Sequence, residues 1–185
     1  MADQYLTIKQ LSEGLYKDKG SKFLSFAIPV EDIEQVKLQL AYYKKQYFDA
    51  RHVCYAYMLG PDHDQFRAND DGEPSGTAGR PILGQINSHN LTNILVVVVR
   101  YFGGILLGTG GLIVAYKQAA QDAINNAQII SRAVEIHKEI TFPYHQINQI
   151  MRILKDTEAR IVKQDYKDNN CIIEFYIKKQ YEGRI

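Results

Sequence analysis

The fold of this 185-residue chain is decided by residues 94–112, which read Ile94-Leu95-Val96-Val97-Val98-Val99-Arg100-Tyr101-Phe102-Gly103-Gly104-Ile105-Leu106-Leu107-Gly108-Thr109-Gly110-Gly111-Leu112. The first six residues are the most strongly β-branched run in the sequence and predict a buried strand. A glycine-rich loop follows, and apolar residues at helical spacing predict a helix from Leu112 to about Ala127. Free backbone N–H groups and the helix dipole converge where such a loop enters a helix, so this order of elements is typical of an anion site.

The glycine loop has two interpretations that the residues leave open. It lacks Gly-Lys-Ser/Thr and is therefore not a P-loop, and Ile113 stands where a dinucleotide fingerprint needs its last glycine. The loop is either a cradle for a phosphate or another anion, flanked by Arg100 and Lys117, or a set of tight turns that need glycine for positive φ and close strand–helix contact.

A second polar stretch precedes the strand and reads Asp70-Asp71-Gly72-Glu73-Pro74-Ser75-Gly76-Thr77-Ala78-Gly79-Arg80-Pro81. Carboxylates at Asp70, Asp71 and Glu73 suit a hard cation or a general base, and Arg80 suits a phosphate. Asp-Gly and Pro-Ser-Gly are also ordinary turn sequences, and the residues alone favour that interpretation. His52 is a further weak catalytic candidate, because an isolated histidine is more often structural.

Composition limits the classes of function. Lys+Arg 22 against Asp+Glu 21 gives a net charge of +1, so any nucleic-acid contact needs a local patch of cations. The two cysteines, Cys54 and Cys171, lack metal-ligand spacing, and we predict no metal and no cofactor. The chain start has no signal-peptide pattern and no stretch is suited to span a bilayer, so we expect a cytoplasmic protein without membrane contact.

The remaining pattern predicts two domains, 1–130 and 131–185, with a boundary near Ser131. The first begins with an antiparallel meander of three short strands and continues through a helix, a strand, a long polar loop and a second helix. We place these at 5–8, 14–16 and 23–28, then 31–47, 53–59, 62–79 and 80–89. The second reads strand–helix–strand–strand, at 134–140, 147–154, 159–166 and 171–177, with a hairpin turn at 168–170. This is the opening of a ferredoxin-like unit without its second helix and fourth strand.

Two long motifs in order resemble the signature of the YigZ/Impact family. They are residues 70–81 and Val96-Val97-Val98-Val99-Arg100-Tyr101-Phe102-Gly103-Gly104-Ile105-Leu106-Leu107-Gly108-Thr109-Gly110-Gly111-Leu112-Ile113-Val114-Ala115-Tyr116. The resemblance covers roughly residues 5 to 130 and includes Lys19-Gly20-Ser21-Lys22-Phe23 and His52-Val53-Cys54-Tyr55-Ala56-Tyr57. It implies an α+β protein: a two-layer α/β domain with a left-handed βαβ crossover, as in a ribosomal-protein domain and GHMP kinases, and a partial ferredoxin-like domain similar to one in elongation factor G.

The resemblance also implies a function. Eukaryotic Impact proteins restrain an initiation-factor kinase by competing for its activator, so they regulate translation. We therefore expect a non-enzymatic regulator of translation or of a stress response that binds RNA, the ribosome or a translation-regulatory protein. The expected binding residues, helped by the sheet of the second domain, are Lys22, Arg80, Arg100, Gly103, Gly104, Gly108, Thr109, Gly110, Gly111 and Lys117.

An alternative is an enzyme or small-molecule binder that uses both loops. The glycine loop then grips a phosphate, Asp70 or Asp71 acts as a base or Mg²⁺ ligand, and His52 assists. A third interpretation makes both motifs purely architectural. The ligand and the oligomeric state stay open at this stage.

Overall fold

The computed structural model describes residues 3–185, which divide into two compact units. One unit is Tyr5–Ser131, and the other holds Arg132–Ile185 together with Asp3 and Gln4. In chain order, the elements up to Ala133 are β1 (Gln4–Ile8), β2 (Ser12–Asp18), β3 (Ser21–Pro29), α1 (Ile33–Gln46), β4 (His52–Leu59), β5 (Gln65–Asn69), α2 (Gly79–Ser88), β6 (Ile94–Tyr101), α3 (Gly108–Asn125) and β7 (Ile129–Ala133).

The first unit is built on a five-stranded sheet in the order β2-β3-β6-β4-β5. Every neighbouring pair is antiparallel, so β3 and β4, which flank β6, run parallel to each other. Helix α1 connects these two strands, which makes β3-α1-β4 a β-α-β unit with a third strand inserted between its two strands. The mixed α/β class predicted from the sequence is confirmed.

Strand β6 is buried on both faces, because helices cover both sides of the sheet. Val96 and Val98 pack toward α2 and α3, whereas Val97 and Val99 pack toward α1. The first unit therefore has three layers, and the predicted two-layer arrangement is wrong. The physical reason is that β6 is apolar at every position from Ile94 to Val99, and each face of such a strand must be covered.

Helix α3 buries the stripe that its sequence predicts: Leu112, Ala115, Tyr116, Ala119, Ala120, Ala123 and Ile124. It begins at Gly108 and not at Leu112, so four residues of the predicted loop form its first turn. Its far end lies directly against β2, where a Cβ at Gly14 would come within 2.4 Å of the Ala123 nitrogen. The small residues of this stripe allow that close approach.

Two predictions about the connections are wrong. Strand β1 does not join β2 and β3 in a meander but forms a two-stranded sheet with β7, which the sequence analysis missed. The long loop at 62–79 contains β5, which pairs with β4 through Gln65 to Asn69. The two strands that the sequence analysis missed, β5 and β7, are short. Pairing with their partner strands, rather than their own sequences, decides that they form.

The second unit contains β8 (Glu135–Pro143), α4 (Ile147–Asp156), β9 (Arg160–Lys167) and β10 (Asn170–Lys178), with a short 3-10 helix at Lys179–Arg184. Its sheet order is β8-β10-β9, as expected for the first part of a ferredoxin-like unit. Asp168 and Asn169 have φ of +52° and +64°, which confirms the predicted hairpin turn. The core joins α4 to one sheet face through Phe142, Leu154, Cys171, Ile173, Phe175 and Ile177.

Candidate functional site

The glycine loop, defined here as residues 102–107, is held by glycine geometry. A Cβ at Gly103 would lie 2.1 Å from the Gly20 carbonyl carbon, so the loop packs directly on the β2–β3 turn. Gly104 and Gly108 have φ of +86° and +70°, in the region that favours glycine. Gly110 is different, because a Cβ there would meet nothing within 4 Å. Backbone geometry therefore explains Gly103, Gly104 and Gly108, whereas the space around Gly110 would accommodate a side chain.

The first turn of α3 presents unsatisfied backbone donors. Its N-cap residue, Leu107, makes no side-chain capping hydrogen bond, and no acidic residue lies in the first turn. Gly108, Thr109 and Gly110 are exposed. The positive end of an 18-residue helix is consequently open to an external acceptor.

The other signature stretch begins with a tight turn. The Asp70 carbonyl accepts a hydrogen bond of 2.9 Å from the Glu73 nitrogen. Between them, Asp71 and Gly72 have φ of +41° and +85°, as in a type I′ turn. This turn brings the Glu73 side chain into the interior of the unit, where it is buried.

Asp70 organises the remainder of that stretch. Its Oδ2 accepts from the Gly76 nitrogen at 2.9 Å, and its Oδ1 accepts from the nitrogens of Ala78 at 3.1 Å and Gly79 at 2.8 Å. Burial by itself raises the pKa of Asp70, but these three donors and the charge of Arg80 outweigh it and leave the pKa below its usual value. Asp70 is thus the cap of α2, supplied from outside the helix.

Asp71 and His52 join this stretch to β4. Asp71 Oδ2 accepts from the Val53 nitrogen at 2.7 Å. His52 Nδ1 lies 2.7 Å from the Asp71 carbonyl oxygen. Because a carbonyl only accepts, Nδ1 carries a proton and the free lone pair of a neutral His52 is on Nε2.

A buried ion pair connects the two signature stretches. Arg100 Nη1 lies 2.6 Å from Glu73 Oε1, and both side chains are almost fully buried. The Tyr116 hydroxyl donates to the same oxygen at 2.7 Å, and His52 Nε2 lies 3.6 Å from it. The guanidinium also lies over the ring of Phe23, with 5.5 Å to the centroid. Arg100 is therefore a core residue, although it ends a strand in the sequence.

Cys54 completes this cluster without being reactive. Its thiol donates to the Asp70 carbonyl at 3.0 Å and lies 3.4 Å from the Tyr116 hydroxyl. Burial, above all other causes, raises the pKa of both Cys54 and Tyr116. The thiol is consequently protonated at neutral pH, and it acts as a hydrogen-bond donor rather than as a nucleophile.

A cavity of about 360 Å³ lies over the cluster, between the two signature stretches. One wall is polar and includes Arg51, His52, Glu73 and Arg100, and the other is formed by the glycine loop and the first turn of α3. The full lining is Arg51, His52, Gly72, Glu73, Pro74, Arg100, Phe102, Leu106, Leu107, Gly108, Thr109 and Leu112. We call this feature the signature cavity.

The structure brings some of the sequence-predicted site residues to the signature cavity and not others. His52, Glu73, Arg100, Gly108 and Thr109 line it, and Gly103, Gly104, Gly110 and Gly111 belong to the adjoining loop and helix turn. Asp70 and Asp71 serve the turn and the α2 cap. Lys22, Arg80 and Lys117 are exposed on β3, α2 and α3 and do not line the cavity.

Several residues of the site escaped sequence analysis. Tyr116 was identified only as part of the α3 core stripe, Cys54 only as one of two cysteines, and Arg51 and Leu106 were not singled out. A signal existed for Tyr116, since a phenol in an otherwise alanine-rich buried stripe needs a hydrogen-bond partner. Among residues 3–185, no group of three or more His, Cys, Asp or Glu side chains is arranged to hold a metal.

The sheet of the second unit, expected to help in binding, has an open face of mixed charge. Glu174 lies opposite Glu139 and Lys163, and its carboxylate is 2.7 Å from His137 Nε2. Arg160 lies over the Tyr176 ring, 4.5 Å from its centroid. Its charges are therefore balanced within the face. None of the helices within residues 3–185 combines the length and the hydrophobicity that a membrane span requires.

Comparison with known proteins identifies related sequences and similar solved structures. A family model described as the Impact N-terminal domain matches residues 19–124. "IMPACT family member YvyE" of Bacillus subtilis (strain 168) is 32% identical over 97% of this chain and 82% of its own length. "Protein IMPACT" of Mus musculus is 41% identical over 49% of this chain and 30% of its own length. A crystal structure of a hypothetical protein, 30% identical, superimposes with a TM-score of 0.84 over 100% of this chain and 90% of that chain.

Proposed function

The chain belongs to the Impact family, and from this premise we propose that it regulates translation or a stress response by binding a partner rather than by catalysis. The regulatory role is the one that the resemblance to eukaryotic Impact proteins implies. The mouse relative aligns with 49% of this chain, and the aligned part is the source of the analogy. The surface we assign to binding is the signature cavity with the glycine loop as its rim.

A single observation carries the proposal: the rim exposes large apolar side chains. Leu106 is 82% exposed and Ile105 is 54% exposed, in a loop whose Gly103 packs directly on the β2–β3 turn. Exposed apolar residues around a concave site are typical of protein contact surfaces, because covering them removes apolar surface from water.

The polar wall gives the partner a charge preference. Arg51 is exposed at the cavity, and the open first turn of α3 adds the positive end of a helix dipole. Glu73 is neutralised by Arg100. These features favour a partner protein that places an acidic side chain or terminal carboxylate in the cavity and apolar side chains on the rim.

The polar groups of the cavity favour binding over catalysis. Glu73 Oε1 already accepts from two buried donors, and the Cys54 thiol is kept protonated by burial. Asp70 and Asp71 are engaged with backbone N–H groups. The carboxylates that the enzymatic alternative needs as a base or ligand, Asp70, Asp71 and Glu73, therefore each have structural partners.

RNA is a second candidate partner, favoured by one observation. Lys22, Arg80 and Lys117 are exposed cations on β3, α2 and α3. If these cations bind RNA phosphates, the affinity falls steeply as the salt concentration rises. The slope of log K against log salt is then roughly minus the number of phosphates neutralised.

The experiment is sedimentation with purified ribosomes and translation factors, together with the rate of a purified translation system. We expect Leu106→Asp to abolish binding and any effect on translation, whereas Phe66→Asp, a change at a residue 58% exposed on edge strand β5, leaves both unchanged. Equal behaviour of the two variants contradicts the rim. The partner is RNA instead of a protein if the chain binds RNA alone and this binding is lost at high salt. The same binding must also be lost in the triple variant Lys22→Gln, Arg80→Gln, Lys117→Gln. No binding to either class overturns the proposal.

A further inference from the structure

A groove of about 450 Å³ lies on the other side of the sheet from the signature cavity, between α1 and the edge strand β2. Nothing in the proposed function uses it. Most of its lining is aromatic or apolar: Leu11, Phe26, Leu38, Tyr42, Tyr43 and Tyr47. The polar side chains of the lining are Glu13, Gln39 and Gln46. We call it the tyrosine groove.

The floor of the tyrosine groove is a packed set of rings. Phe26 lies 4.6 Å from Tyr43 and 5.6 Å from Tyr47 between ring centroids. Tyr43 and Tyr47 are parallel to within 2°, and Tyr42 stands perpendicular to Tyr43 at 5.1 Å. Burial, with a smaller contribution from Tyr42, raises the pKa of Tyr43 to about 12, so its ring is a neutral phenol. Neutral tyrosine rings present a negative π face.

The groove carries one negative charge. Glu13 lies directly opposite Phe26 in the β2–β3 register, so its side chain is on the same face of the sheet as the rings. Among the described residues that line the groove, Glu13 is the only one with a charge. Phe26 and Tyr43 are buried, so the rings within reach of an occupant are those of the exposed Tyr42 and the partly exposed Tyr47. Accessible aromatic rings and a carboxylate in the same groove complement a cation.

The edge of β2 does not offer itself for strand addition at this point. The Leu15 nitrogen donates to Asp122 Oδ2 at 2.8 Å, and Asn126 Nδ2 donates to the Glu13 carbonyl at 2.9 Å. Side chains at the end of α3 thus occupy backbone groups that a further strand would need. An occupant of the groove must therefore be recognised through its side chains.

Apolar side chains surround the rings and remain exposed. Leu38 is 71% exposed, Tyr42 54% and Leu11 47%. With Glu13, these side chains define what an occupant of the groove must offer, namely apolar groups and a positive charge. We propose that the tyrosine groove binds a segment of a protein partner in which an arginine or lysine, flanked by apolar residues, places its charged group near Glu13 and the tyrosine rings.

The test is a titration of the ¹⁵N-labelled full chain with the peptide acetyl-Leu-Arg-Leu-amide, followed by amide chemical shifts. Acetyl-Leu-Gln-Leu-amide is the matched neutral peptide, and free arginine tests whether the flanking residues matter. We expect the arginine peptide to shift the amides of α1 and β2 around the groove, the glutamine peptide to bind at least about fivefold more weakly, and free arginine to bind more weakly than the arginine peptide.

Glu13→Gln keeps the shape of the side chain and removes its charge. We expect it to weaken the arginine peptide about fivefold, whereas Glu34→Gln, an exposed glutamate of α1 outside the groove lining, leaves its affinity unchanged. Equal affinity for the arginine and glutamine peptides, or no effect of Glu13→Gln, overturns recognition of a cation. Absence of shifts around the groove at about 10 mM peptide overturns the site itself. These outcomes are independent of ribosome binding by the glycine-loop rim.

Discussion

Arg100 Nη1 and Glu73 Oε1 lie 2.6 Å apart in the interior of the first unit, and this ion pair joins the two stretches that characterise the sequence. Two charges are moved out of water to form it, and the cost of that desolvation is recovered only while both partners and their other hydrogen bonds are in place. Because Glu73 and Arg100 also line the signature cavity, the shape of this cavity depends on the packing of the core.

Removing one member of this pair is expected to destabilise the protein strongly. Arg100→Met leaves Glu73 buried without its cation and should lower the free energy of unfolding by about 3–5 kcal/mol. Arg51→Met is the matched control, because Arg51 is an exposed arginine at the same cavity, and its change should stay within about 0.5 kcal/mol. Urea unfolding followed by circular dichroism measures both.

The double variant Glu73→Leu, Arg100→Met removes both charges and separates the ion pair from the packing of its side chains. We expect it to regain at least about 2 kcal/mol relative to Arg100→Met alone, because no buried charge is left unpaired. Equal costs for Arg51→Met and Arg100→Met would mean that the buried pair contributes little.

Asp70→Asn is expected to destabilise α2 and its loop in a pH-dependent way. The pKa of Asp70 is lowered on folding, so its charge contributes stability above the unfolded value near 3.8, and that contribution is lost as pH falls through the folded pKa. At pH 7 the substitution should cost about 1–2 kcal/mol. The difference from the native protein should shrink below about pH 4, as seen in urea unfolding at several pH values.

Asp62→Asn, which makes the same substitution at an exposed aspartate outside the cluster, is the matched control for this measurement. A difference between native protein and Asp70→Asn that stays constant from pH 7 to pH 3 is incompatible with a charge-dependent cap at Asp70.

Two glycines of the same helix turn should respond in opposite directions to alanine. Gly110 is helical with open space around it, so Gly110→Ala should stabilise by about 0.5–1 kcal/mol. Gly108 has φ of +70°, so Gly108→Ala should destabilise by about 1–2 kcal/mol. Thermal unfolding measures both, and a change of the same sign at both positions contradicts this assignment of backbone geometry.

Cys54 should resist alkylation in the folded protein. Burial raises the pKa of its thiol, so the thiolate population is very small near pH 8 and the reagent has no direct access. Mass spectrometry after exposure to iodoacetamide should show labelling of Cys54 only at the rate of global unfolding, accelerated by urea. Stoichiometric labelling within minutes in buffer alone is the contrary result.

The elements with strong patterns were predictable. The six apolar residues from Ile94 predicted a buried strand, and the α3 stripe follows from helical spacing alone. The start of α3 was not predictable, because glycines are as compatible with a loop as with the first turn of a helix. The layering was also missed, since it depends on which helix covers which face of β6.

The candidate site was predictable only in part. The polar residues of both stretches were identified, but the buried pairing of Arg100 with Glu73 was not predicted. A sequence does not tell whether a cation at the end of a strand meets water or a carboxylate, because the partner is 27 residues away and arrives through a turn. Tyr116 joined the cluster by the same long-range packing.

The local pattern of this sequence determined the family, the buried strand, the helix stripe and the hairpin turns, because backbone preferences and hydrophobic periodicity act over a few residues. Only the tertiary structure decided that Asp70 and Asp71 support backbone and that Glu73 pairs with Arg100. It also left Leu106 exposed and placed Glu13 among tyrosines. The role of a charged side chain depends on whether folding brings a partner to it or leaves it in water, and that is settled by contacts between distant parts of the chain.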